Sequence, residues 1–594
     1  MDILAVVLPM LSFAALLKRE NLRESFLNSA VAIGLFVVFS TEVLSWLSLI
    51  AYLPLVVCWS LYLLSVLGWR YRCQAATRKV SGEKAELPEK DLLVLLACIV
   101  GIVGISGVAA LVAAPNNFDS LTYHLPRIMH WIQNKSVAHY PTNIDRQLVL
   151  APLSEFMMLH LQELSGSDRF ANCVQWFSLV GSAVGVSLIA RALLGSLSSQ
   201  IVAAAIAVSL PMGLLQSTST QNDYAVTFWL VCLAYYIIKA KQCGAAKNTL
   251  LVGICLGLAI LTKGTAYLVA APFMLVYLWH LVTQGMKTAL TSILIVACAV
   301  LLINGGHYAR NFTVYGSPLS PGTGNDIISK RVDAGSVISG VTKNVATQLS
   351  TGMVGANAAL LALTNAVHGV LGVALNDPEL ASDNFYLLPV PVQNHEDYAP
   401  NPLHMVLLLV SGALLVLRRK KISREVMLLA IASMLSFIVL SLSLKWTPYL
   451  SRYFLPVFVL SAPAVALLFD GMKRRALVSC CALILLVSGG FVLANNKTRP
   501  LVGAQSVFVT KRLDQYFMGS PRAQMYFISV ANLAKAQPIR NIGITDSDAN
   551  MLEYLLWVLM NDSGANYRIE HVDVKNHSGR IKLIGFSPYY PVSI

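Results

Sequence analysis

Long apolar stretches alternate with short polar segments along most of the 594-residue chain. A membrane-spanning helix needs roughly 20 mostly apolar residues, and windows of that kind recur as far as residue 494. The pattern predicts an all-α polytopic membrane protein with about fourteen transmembrane helices. The predicted spans lie near residues 3–17, 27–48, 51–69, 92–114, 169–194, 200–219, 223–240, 249–262, 265–284, 288–304, 403–417, 426–444, 453–470 and 476–494.

The composition agrees with this pattern. Hydrophobic residues make up 56% of the chain and charged residues 12%, whereas soluble proteins carry about 25% charged residues. The net charge of +14 does not indicate a nucleic-acid partner, because the basic residues lie in short loops between apolar runs. We predict that the apolar surface of the protein contacts the lipid bilayer. The apolar segment 3–17 lacks a basic start and a small-residue cleavage site, so we expect no cleaved signal peptide.

Basic loops predict the orientation of the chain. If the spans alternate as predicted, four basic segments fall on one side, which the positive-inside rule assigns to the cytoplasm. They are residues 70–91, 239–247, 418–425 and 473–475. Two long loops, 115–168 and 305–402, and the tail after Asn495 then lie outside. We expect a candidate site on the periplasmic or extracellular side of an inner or plasma membrane, most simply a bacterial one.

Three regions follow from this topology. Residues 1–91 hold the N-terminal transmembrane helices and a basic loop, 92–494 form the core, and 495–594 form a small extracytoplasmic α/β domain. In the last region, "NIGIT" and "YRIEHVDV" are typical of strands and "DANMLEYLLWVLM" has helical periodicity. The region has no Gly-rich phosphate loop, so packing or acceptor recognition is its predicted role.

The first outer loop contains a candidate general base. Asp119 lies five residues beyond Ala114, where the fourth span ends, and a carboxylate at the membrane boundary is costly unless it is solvated, paired or used. Two helices that can lie at the interface follow, at 126–133 and 148–164. Asp119 can take a proton from an acceptor group there. A helix cap or an ion pair with Arg127 would explain it equally simply.

Cations at the outer ends of the spans suggest a phosphate site. Outer loops should be poor in Lys and Arg, yet Lys263, Lys445, Arg452 and Arg310 lie at such ends. A lipid-linked sugar has its phosphate at this depth, and a fixed cation stabilises the charge of the leaving group. We predict Lys263 and Arg452 as phosphate ligands, with Arg310 third. The competing explanation is that these side chains extend to the lipid headgroups.

Further polar residues face the same side. Asp223 can orient an acceptor, bind a cation or cap the helix that follows it. His395, Glu396 and Asp397 offer ligands for a divalent cation or for sugar hydroxyls, although such clusters also form plain turns. The sequence therefore predicts no certain cofactor and leaves a divalent cation open.

Five segments resemble a known family, in the same order along residues 92–494. They are "FDSLTYHLPRIMHW", "STQNDYAVTFWL", "LGLAILTKGTAYLVAAP", "ARNFTVYGSPLSP" and "KWTPYLSRYFLP". The chain resembles the GT-C glycosyltransferases, above all bacterial relatives of the protein O-mannosyltransferases and of the lipid A aminoarabinose transferase. The resemblance implies a GT-C-like helical fold with Asp119 as base. It also adds substrate-binding candidates from these motifs, namely Tyr123, His124, Arg127, Asp223 and Tyr453.

The resemblance implies a hexosyl- or pentosyltransferase that moves a sugar, with inversion, from a polyprenyl-phosphate donor to a lipid, glycan or protein acceptor. One departure bears on the acceptor. Protein O-mannosyltransferases have an Asp-Glu pair at the first motif, whereas Ser120 follows Asp119 here. That difference puts a protein acceptor, and a two-carboxylate metal site at this position, in doubt.

Two other functions remain alternatives. A lipid-linked glycan transporter or flippase should carry ionisable residues at mid-membrane depth, but here they gather at one edge. An O-antigen ligase or polymerase also uses lipid-linked donors and has large outer loops. The Leu-Thr-Lys segment at 261–263 and the Arg-Tyr segment at 452–453 favour a GT-C glycosyltransferase over a transporter and over a ligase or polymerase.

Overall fold

The computed structural model of the chain describes residues 3–18, 21–74, 89–244, 246–319, 327–382, 394–470, 475–536, 540–545, 550–561, 567–582 and 591–592. Most of the predicted basic loop 70–91, part of the basic segment 473–475 and part of the glycine- and proline-rich segment that begins at Tyr315 lie outside the described residues.

The described chain is mostly helical, so the predicted all-α membrane fold is confirmed. The first half contains α1 (Val7–Leu16), α2 (Leu22–Trp46), α3 (Tyr52–Gln74), α4 (Lys90–Val112), α5 (Leu125–Asn134), α6 (Arg146–Val149), α7 (Leu153–Ser165), α8 (Cys173–Ala192), α9 (Leu197–Val208), α10 (Pro211–Gln216), α11 (Asp223–Cys243), α12 (Ala246–Thr262), α13 (Ala266–Thr283) and α14 (Met286–Tyr315). The second half contains α15 (Ala334–Leu349), α16 (Val354–Leu371), α17 (Pro402–Leu417), α18 (Arg424–Ser443), α19 (Leu455–Leu468), α20 (Arg475–Ala494), α21 (Arg512–Tyr516), α22 (Ala523–Ala536) and α23 (Tyr554–Asn561), and the strands β1 (Asn541–Ile544), β2 (Arg568–His571) and β3 (Pro591–Val592).

Among the described residues, eleven helices are long and apolar enough to cross a membrane, judged by length and composition, and four shorter apolar helices accompany them. Every predicted span overlaps a helix, and the span 200–219 overlaps two. One of the eleven is α16, which lies in the loop predicted to be outside. The exact number of spans and their orientation stay predictions.

The predicted span 200–219 is interrupted. Helix α9 ends at Val208 and α10 begins at Pro211. A proline has no backbone N–H and fits the first turn of a helix, but it breaks a helix interior. Pro211 therefore starts a new short helix, and the residues after it turn toward the polar end of the bundle.

Small residues let two long helices approach closely. Helix α12 carries Gly253 and Gly257, one turn apart, on the face that meets α14. A Cβ at Gly253 would lie 2.9 Å from the Cα of Val296, so the two backbones nearly touch. Such small-residue contacts replace the hydrophobic driving force that is missing between helices in lipid. This contact positions the end of α12, which carries Lys263.

Ion pairs and hydrogen bonds show which loops share an end of the bundle. Lys241 Nζ lies 2.6 Å from Glu425 Oε2, so two segments predicted to be cytoplasmic meet. At the other end, the backbone N–H of Ile50 donates to the carbonyl of Lys135, which joins the turn after α2 to the first long loop. These two contacts each join segments that the alternating topology assigns to the same side.

The C-terminal tail covers the first long loop. Its three strands form a parallel sheet in the order β2-β1-β3. The predicted strand-helix-strand pattern corresponds to β1, α23 and β2, and the helix is shorter than predicted. Residues Leu125 to Trp131 of α5 are buried, with α23 and β2 against them. The three-domain division stays a prediction.

Candidate functional site

Asp119 lies at the start of an unusual turn. Helix α4 ends at Val112, and a π-helical turn spans Ser120–His124 before α5. The side chain of Asn117, rather than that of Asp119, accepts the Ser120 N–H at 2.7 Å. Asp119 makes no capping hydrogen bond, and Arg127 pairs with a different carboxylate. The two simple explanations weighed for Asp119 are therefore not realised.

Arg452 is the partner of Asp119. It lies in the helical turn Pro448–Phe454 that leads into α19. Its Nη1 atom is 2.7 Å from Asp119 Oδ2 and 2.9 Å from Asp397 Oδ1. All three residues are buried. One guanidinium thus joins the first outer loop, the second outer loop and the late Arg-Tyr segment.

A second ion pair lies beside the first. Lys263 Nζ donates to Asp223 Oδ1 at 2.5 Å, and the same Nζ atom lies 4.4 Å from the ring centroid of Tyr453. A cation over an aromatic face is stabilised by the ring electrons. Because Tyr453 follows Arg452 directly, the two cations occupy one charged cluster, which we define as Asp119, Asp223, Lys263, Asp397 and Arg452.

The cluster shifts the acidities of its carboxyls. Burial favours the neutral form of Asp119, but the charge of Arg452 outweighs it, and His124 and hydrogen bonds from Arg452 and Tyr123 add to the effect. The pKa of Asp119 falls from 3.8 to about 2. Burial, then the neighbouring carboxylate of Asp119, raises the pKa of Tyr123. Asp119 is therefore an ionised acceptor at neutral pH, with a phenol within hydrogen-bonding reach.

Asp397 has the opposite shift. Burial raises its pKa, and the negative charges of Asp119 and Glu396 add to this, against the opposing effect of Arg452. Gln221 Nε2 donates to Asp397 Oδ1 at 2.6 Å. The cluster holds three carboxyls and two cations. It therefore has more acidic than basic groups, and Asp397 takes up a proton more easily than Asp119.

The three predicted ligands at 395–397 lie together, with His395 Nδ1 3.8 Å from Glu396 Oε2 and 3.5 Å from Asp397 Oδ2, but the two carboxylates pair with different arginines. Glu396 is fully buried, accepts from Thr498 Oγ1 at 2.7 Å and lies 2.8 Å from Arg499 Nη2. The charge of Arg499 overcomes the effect of burial and lowers the pKa of Glu396 to about 2. His395 stacks on Tyr398, with 4.9 Å between ring centroids. Arginines therefore organise this segment, and its predicted role in binding substrate or a cation stays a prediction.

His124 and Arg127 bind a common carboxylate behind Asp119. His124 Nδ1 lies 2.7 Å from Glu155 Oε1, and Arg127 Nη1 lies 3.1 Å from the same oxygen. Arg127 Nη2 also donates to the carbonyls of Leu148 and Leu150. These bonds tie α5 to α7 and fix the turn that presents Asp119. Both residues are predicted to bind substrate, and their observed contacts position the loop.

Arg310 pairs with the N-terminal helices. Its two terminal nitrogens lie 2.7 Å and 2.8 Å from the two carboxylate oxygens of Glu42 on α2. The absence of a side chain at Gly306 makes room for this bidentate pair, because a Cβ there would lie 2.5 Å from Glu42 Oε1. Arg310 is the one predicted phosphate ligand that the described contacts do not join to the charged cluster, and its phosphate role stays a prediction.

Sequence reasoning missed Gln221 and Arg499. Arg499 follows the last span directly, so it is a cation at an outer membrane end and meets the criterion that selected Lys263. Its side chain is fully buried and also donates to Asn116 Oδ1 at 2.8 Å. Gln221 stands two residues before Asp223, but an amide carries no sequence signal that separates it from an ordinary turn residue.

One protein family matches part of the chain. Residues 151–304 match the family described as dolichyl-phosphate-mannose-protein mannosyltransferase. The matched segment includes Asp223 and Lys263, whereas Asp119 and Arg452 lie outside it. No curated protein sequence matches the chain.

Two solved structures are similar in fold. Both are crystal structures of ArnT from Cupriavidus metallidurans, one bound to undecaprenyl phosphate and one in the apo state. The first is 14% identical and covers 79% of this chain and 75% of that chain, with a TM-score of 0.42. The second is 13% identical and covers 81% of this chain and 86% of that chain, with a TM-score of 0.41. The family match confirms the resemblance predicted from the motifs, and the chain is similar to the GT-C superfamily of membrane glycosyltransferases.

Proposed function

We propose that the chain is a membrane glycosyltransferase that uses a polyprenyl-phosphate sugar as donor. The observation that carries this proposal is the contact between Arg452 and Asp119. In this proposal Asp119 is the proton acceptor and Arg452, its partner in the buried cluster, binds the donor phosphate, with Lys263 beside them. The family match over residues 151–304 supports the same reaction class. The loops that build the cluster are those assigned to the outside, so we place the reaction at the outer face of the membrane.

Donor binding changes the chemistry of Asp119. Both cations are already engaged by carboxylates, so a phosphate must compete with Asp119 and Asp397 for Arg452. A carboxylate with a pKa near 2 is a weak base. When the phosphate takes over Arg452, Asp119 loses its strongest stabilising charge and its pKa rises. Binding of the donor thus turns Asp119 into a better base at the moment the reaction needs one.

The transfer then proceeds in one displacement. A hydroxyl or amine of the acceptor gives its proton to Asp119, and its heteroatom forms a bond to the anomeric carbon. The bond between that carbon and the phosphate oxygen breaks, and its electron pair leaves with the polyprenyl phosphate. Arg452 and Lys263 stabilise the negative charge that grows on the leaving phosphate. Because the acceptor attacks the face opposite the phosphate, the configuration at the anomeric carbon inverts.

The acceptor is a hydroxyl- or amine-bearing lipid, glycan or protein on the same side of the membrane. Tyr123, within hydrogen-bonding reach of Asp119, is suited to orient that group. The sugar is a hexose or pentose.

The proposal is tested by donor binding to the purified full chain in nanodiscs. Undecaprenyl phosphate is the probe, undecaprenol is its uncharged control, and the melting temperature is the readout. We expect the phosphate, and not the alcohol, to raise the melting temperature, and Lys263→Met to reduce that shift. If undecaprenyl phosphate and undecaprenol raise the melting temperature equally, the chain has no phosphate site and this part of the proposal is contradicted.

Product stereochemistry tests the displacement. Membranes that contain the chain are supplied with a panel of radiolabelled polyprenyl-phosphate sugars, and the anomeric configuration of the product is measured by NMR. Inversion is expected. A product with the configuration of the donor contradicts the single displacement, and transfer from none of the donors contradicts the reaction class.

A further inference from the structure

Two histidines and a glutamate meet between the first outer loop and the tail, away from the charged cluster. His130 lies on α5, Glu553 directly before α23, and His571 at the end of β2. His130 Nε2 lies 2.8 Å from Glu553 Oε1, and His571 Nε2 lies 3.1 Å from Glu553 Oε2. One potential ligand atom from each residue lies within 4.8 Å of the others. The proposed glycosyl transfer uses none of the three.

The surroundings hold the carboxylate in place. Trp557 Nε1 donates to Glu553 Oε1 at 2.9 Å, and Gln147 Nε2 donates to Glu553 Oε2 at 2.6 Å. His130 and Glu553 are fully buried, and His571 is 1% exposed. The site is therefore buried and preorganised, and its three protein ligands leave a fourth zinc position for a water molecule.

The hydrogen bonding of His130 is incomplete in either neutral form. Both of its ring nitrogens face carboxylates, since Nδ1 lies 3.9 Å from Glu570 Oε2. His130 Nδ1 and Glu570 Oε2 have no hydrogen-bond partner among the described residues. A neutral imidazole has one N–H, so one nitrogen always points a lone pair at a carboxylate. A buried polar atom without a partner is costly. A cation bound at Nε2 removes this conflict and lets Nδ1–H face Glu570.

This arrangement matches the ligand chemistry of zinc. Two imidazole nitrogens and one carboxylate oxygen are an established ligand set for Zn²⁺. A histidine bound to a metal generally directs its other N–H to a carboxylate or carbonyl, which fixes the ring and strengthens the bond. Glu570 takes that place behind His130, and Gln147 and Trp557 orient Glu553 in the same manner.

We propose that His130, Glu553 and His571 bind one zinc ion that fastens the C-terminal tail to the first outer loop. The ligands come from two parts of the chain separated by all the described membrane helices from α8 to α20. Each neutral imidazole binds the ion through Nε2 with its single proton on Nδ1, so metal bonds replace the hydrogen bonds to Glu553 without net loss of a proton. The ion thereby stabilises the sheet against α5, and α5 directly follows the turn that presents Asp119.

The test uses the full chain, purified in detergent after removal of any affinity tag. Elemental analysis is expected to find about one zinc ion per chain, held by the three side chains and one water molecule. Treatment with a chelator should lower the melting temperature, and added Zn²⁺ should restore it. Limited proteolysis should release the tail from chelated protein faster than from zinc-loaded protein. These measurements need no variant and no knowledge of the substrate.

Variants assign the ion to the cluster. His571→Ala and Glu553→Gln should lose the bound zinc, whereas His577→Ala, a histidine of the same tail whose ring lies near Tyr315, should keep it. Zinc retained by both cluster variants contradicts the assignment. If the wild type holds no metal and Zn²⁺ leaves its melting temperature unchanged, the cluster is a hydrogen-bonded His-Glu-His group with a protonated His130, and the proposal is overturned.

Discussion

The guanidinium of Arg452 lies 2.7 Å from the carboxylate of Asp119, and no covalent or local constraint brings the two together. Asp119 precedes most of the membrane helices, and Arg452 comes before the last two of them, α19 and α20. Their contact is therefore a property of the whole bundle. In the proposed reaction this contact also sets the resting state of the site, because Asp119 is paired with the cation that the donor phosphate would recruit.

Replacing Asp119 by Asn should abolish sugar transfer and keep the fold. Asn retains the shape of the side chain but cannot accept a full proton, and loss of a general base typically costs about 100-fold to 10,000-fold in rate. Arg452 keeps Asp397 as a partner, so the helices should assemble. Transfer of radiolabelled sugar in isolated membranes is the measurement.

The matched control is Asp145→Asn in the same outer loop. Asp145 accepts a hydrogen bond from Tyr315 and belongs to no part of the charged cluster. We expect near-normal transfer from this control. Full activity of Asp119→Asn would remove Asp119 from the role of base.

Two substitutions at Arg452 should separate binding from stability. Arg452→Ala leaves Asp119 and Asp397 without their shared cation, and loss of one partner of a buried ion pair costs about 3–5 kcal/mol. Arg452→Lys keeps the charge but loses the fork that grips a phosphate. It should raise the KM for the lipid donor about tenfold or more, the equivalent of one charge-assisted hydrogen bond.

Steady-state kinetics and thermal unfolding measure the two effects. Lys445→Ala, another cation at the outer edge, is the control and should leave the KM for the donor unchanged. An unchanged KM in Arg452→Lys would show that the phosphate binds elsewhere.

The ion pair between Glu396 and Arg499 should make stability depend on pH. The pKa of Glu396 is lowered from 4.5 to about 2 in the folded protein, so the unfolded chain binds a proton more readily. The stability that the pair provides is then fully present above about pH 4.5 and is lost as the pH falls toward about 2. Glu396→Gln should lower the melting temperature at pH 7, and its difference from the wild type should shrink below pH 4.5.

The exposed residue Glu379 provides the control for this measurement. Glu379→Gln makes the same charge change without a buried partner, and it should shift the melting temperature little at any pH. A difference between wild type and Glu396→Gln that stays constant across the acid range would contradict the assignment to the carboxylate.

A double-mutant cycle should reveal whether Arg310 has a role beyond its ion pair. Glu42→Gln and Arg310→Gln each break the bidentate contact. The two effects on the free energy of unfolding should therefore not add, with a coupling of about 0.5–3 kcal/mol. If Arg310 also binds the phosphate, only Arg310→Gln raises the KM for the donor. Equal kinetic effects of both variants would assign Arg310 to structure alone.

Much of the membrane fold is predictable because hydrophobicity alone selects a spanning helix. Helices such as α4 and α20 can be recognised from their own hydrophobicity, without knowledge of the helices that pack against them. The break before Pro211 was within reach of the sequence as well, since proline marks a helix start. The close contact at Gly253 was not predictable, because the presence of a small residue does not identify the helix that packs against it.

A site residue was predictable only where its own position was unusual, as for a charged side chain at the edge of the membrane. Asp119, Lys263 and Arg452 stood out as charges at a membrane edge. Their pairing did not, because it depends on the arrangement of distant helices. The same limit explains His130 and His571, which showed no metal-binding spacing. Their partner Glu553 lies far from His130 in the chain, and only the folded tail brings the three together.

Thr498 and Arg499 follow the last membrane helix, yet they hold Glu396 and Asn116 in the two outer loops. A chain truncated after Ala494 keeps the membrane helices through α20 but leaves Glu396 buried without its counter-charge. Such an uncompensated charge is strongly destabilising. The two outer loops therefore reach their full set of ion pairs only when the residues after α20 are present.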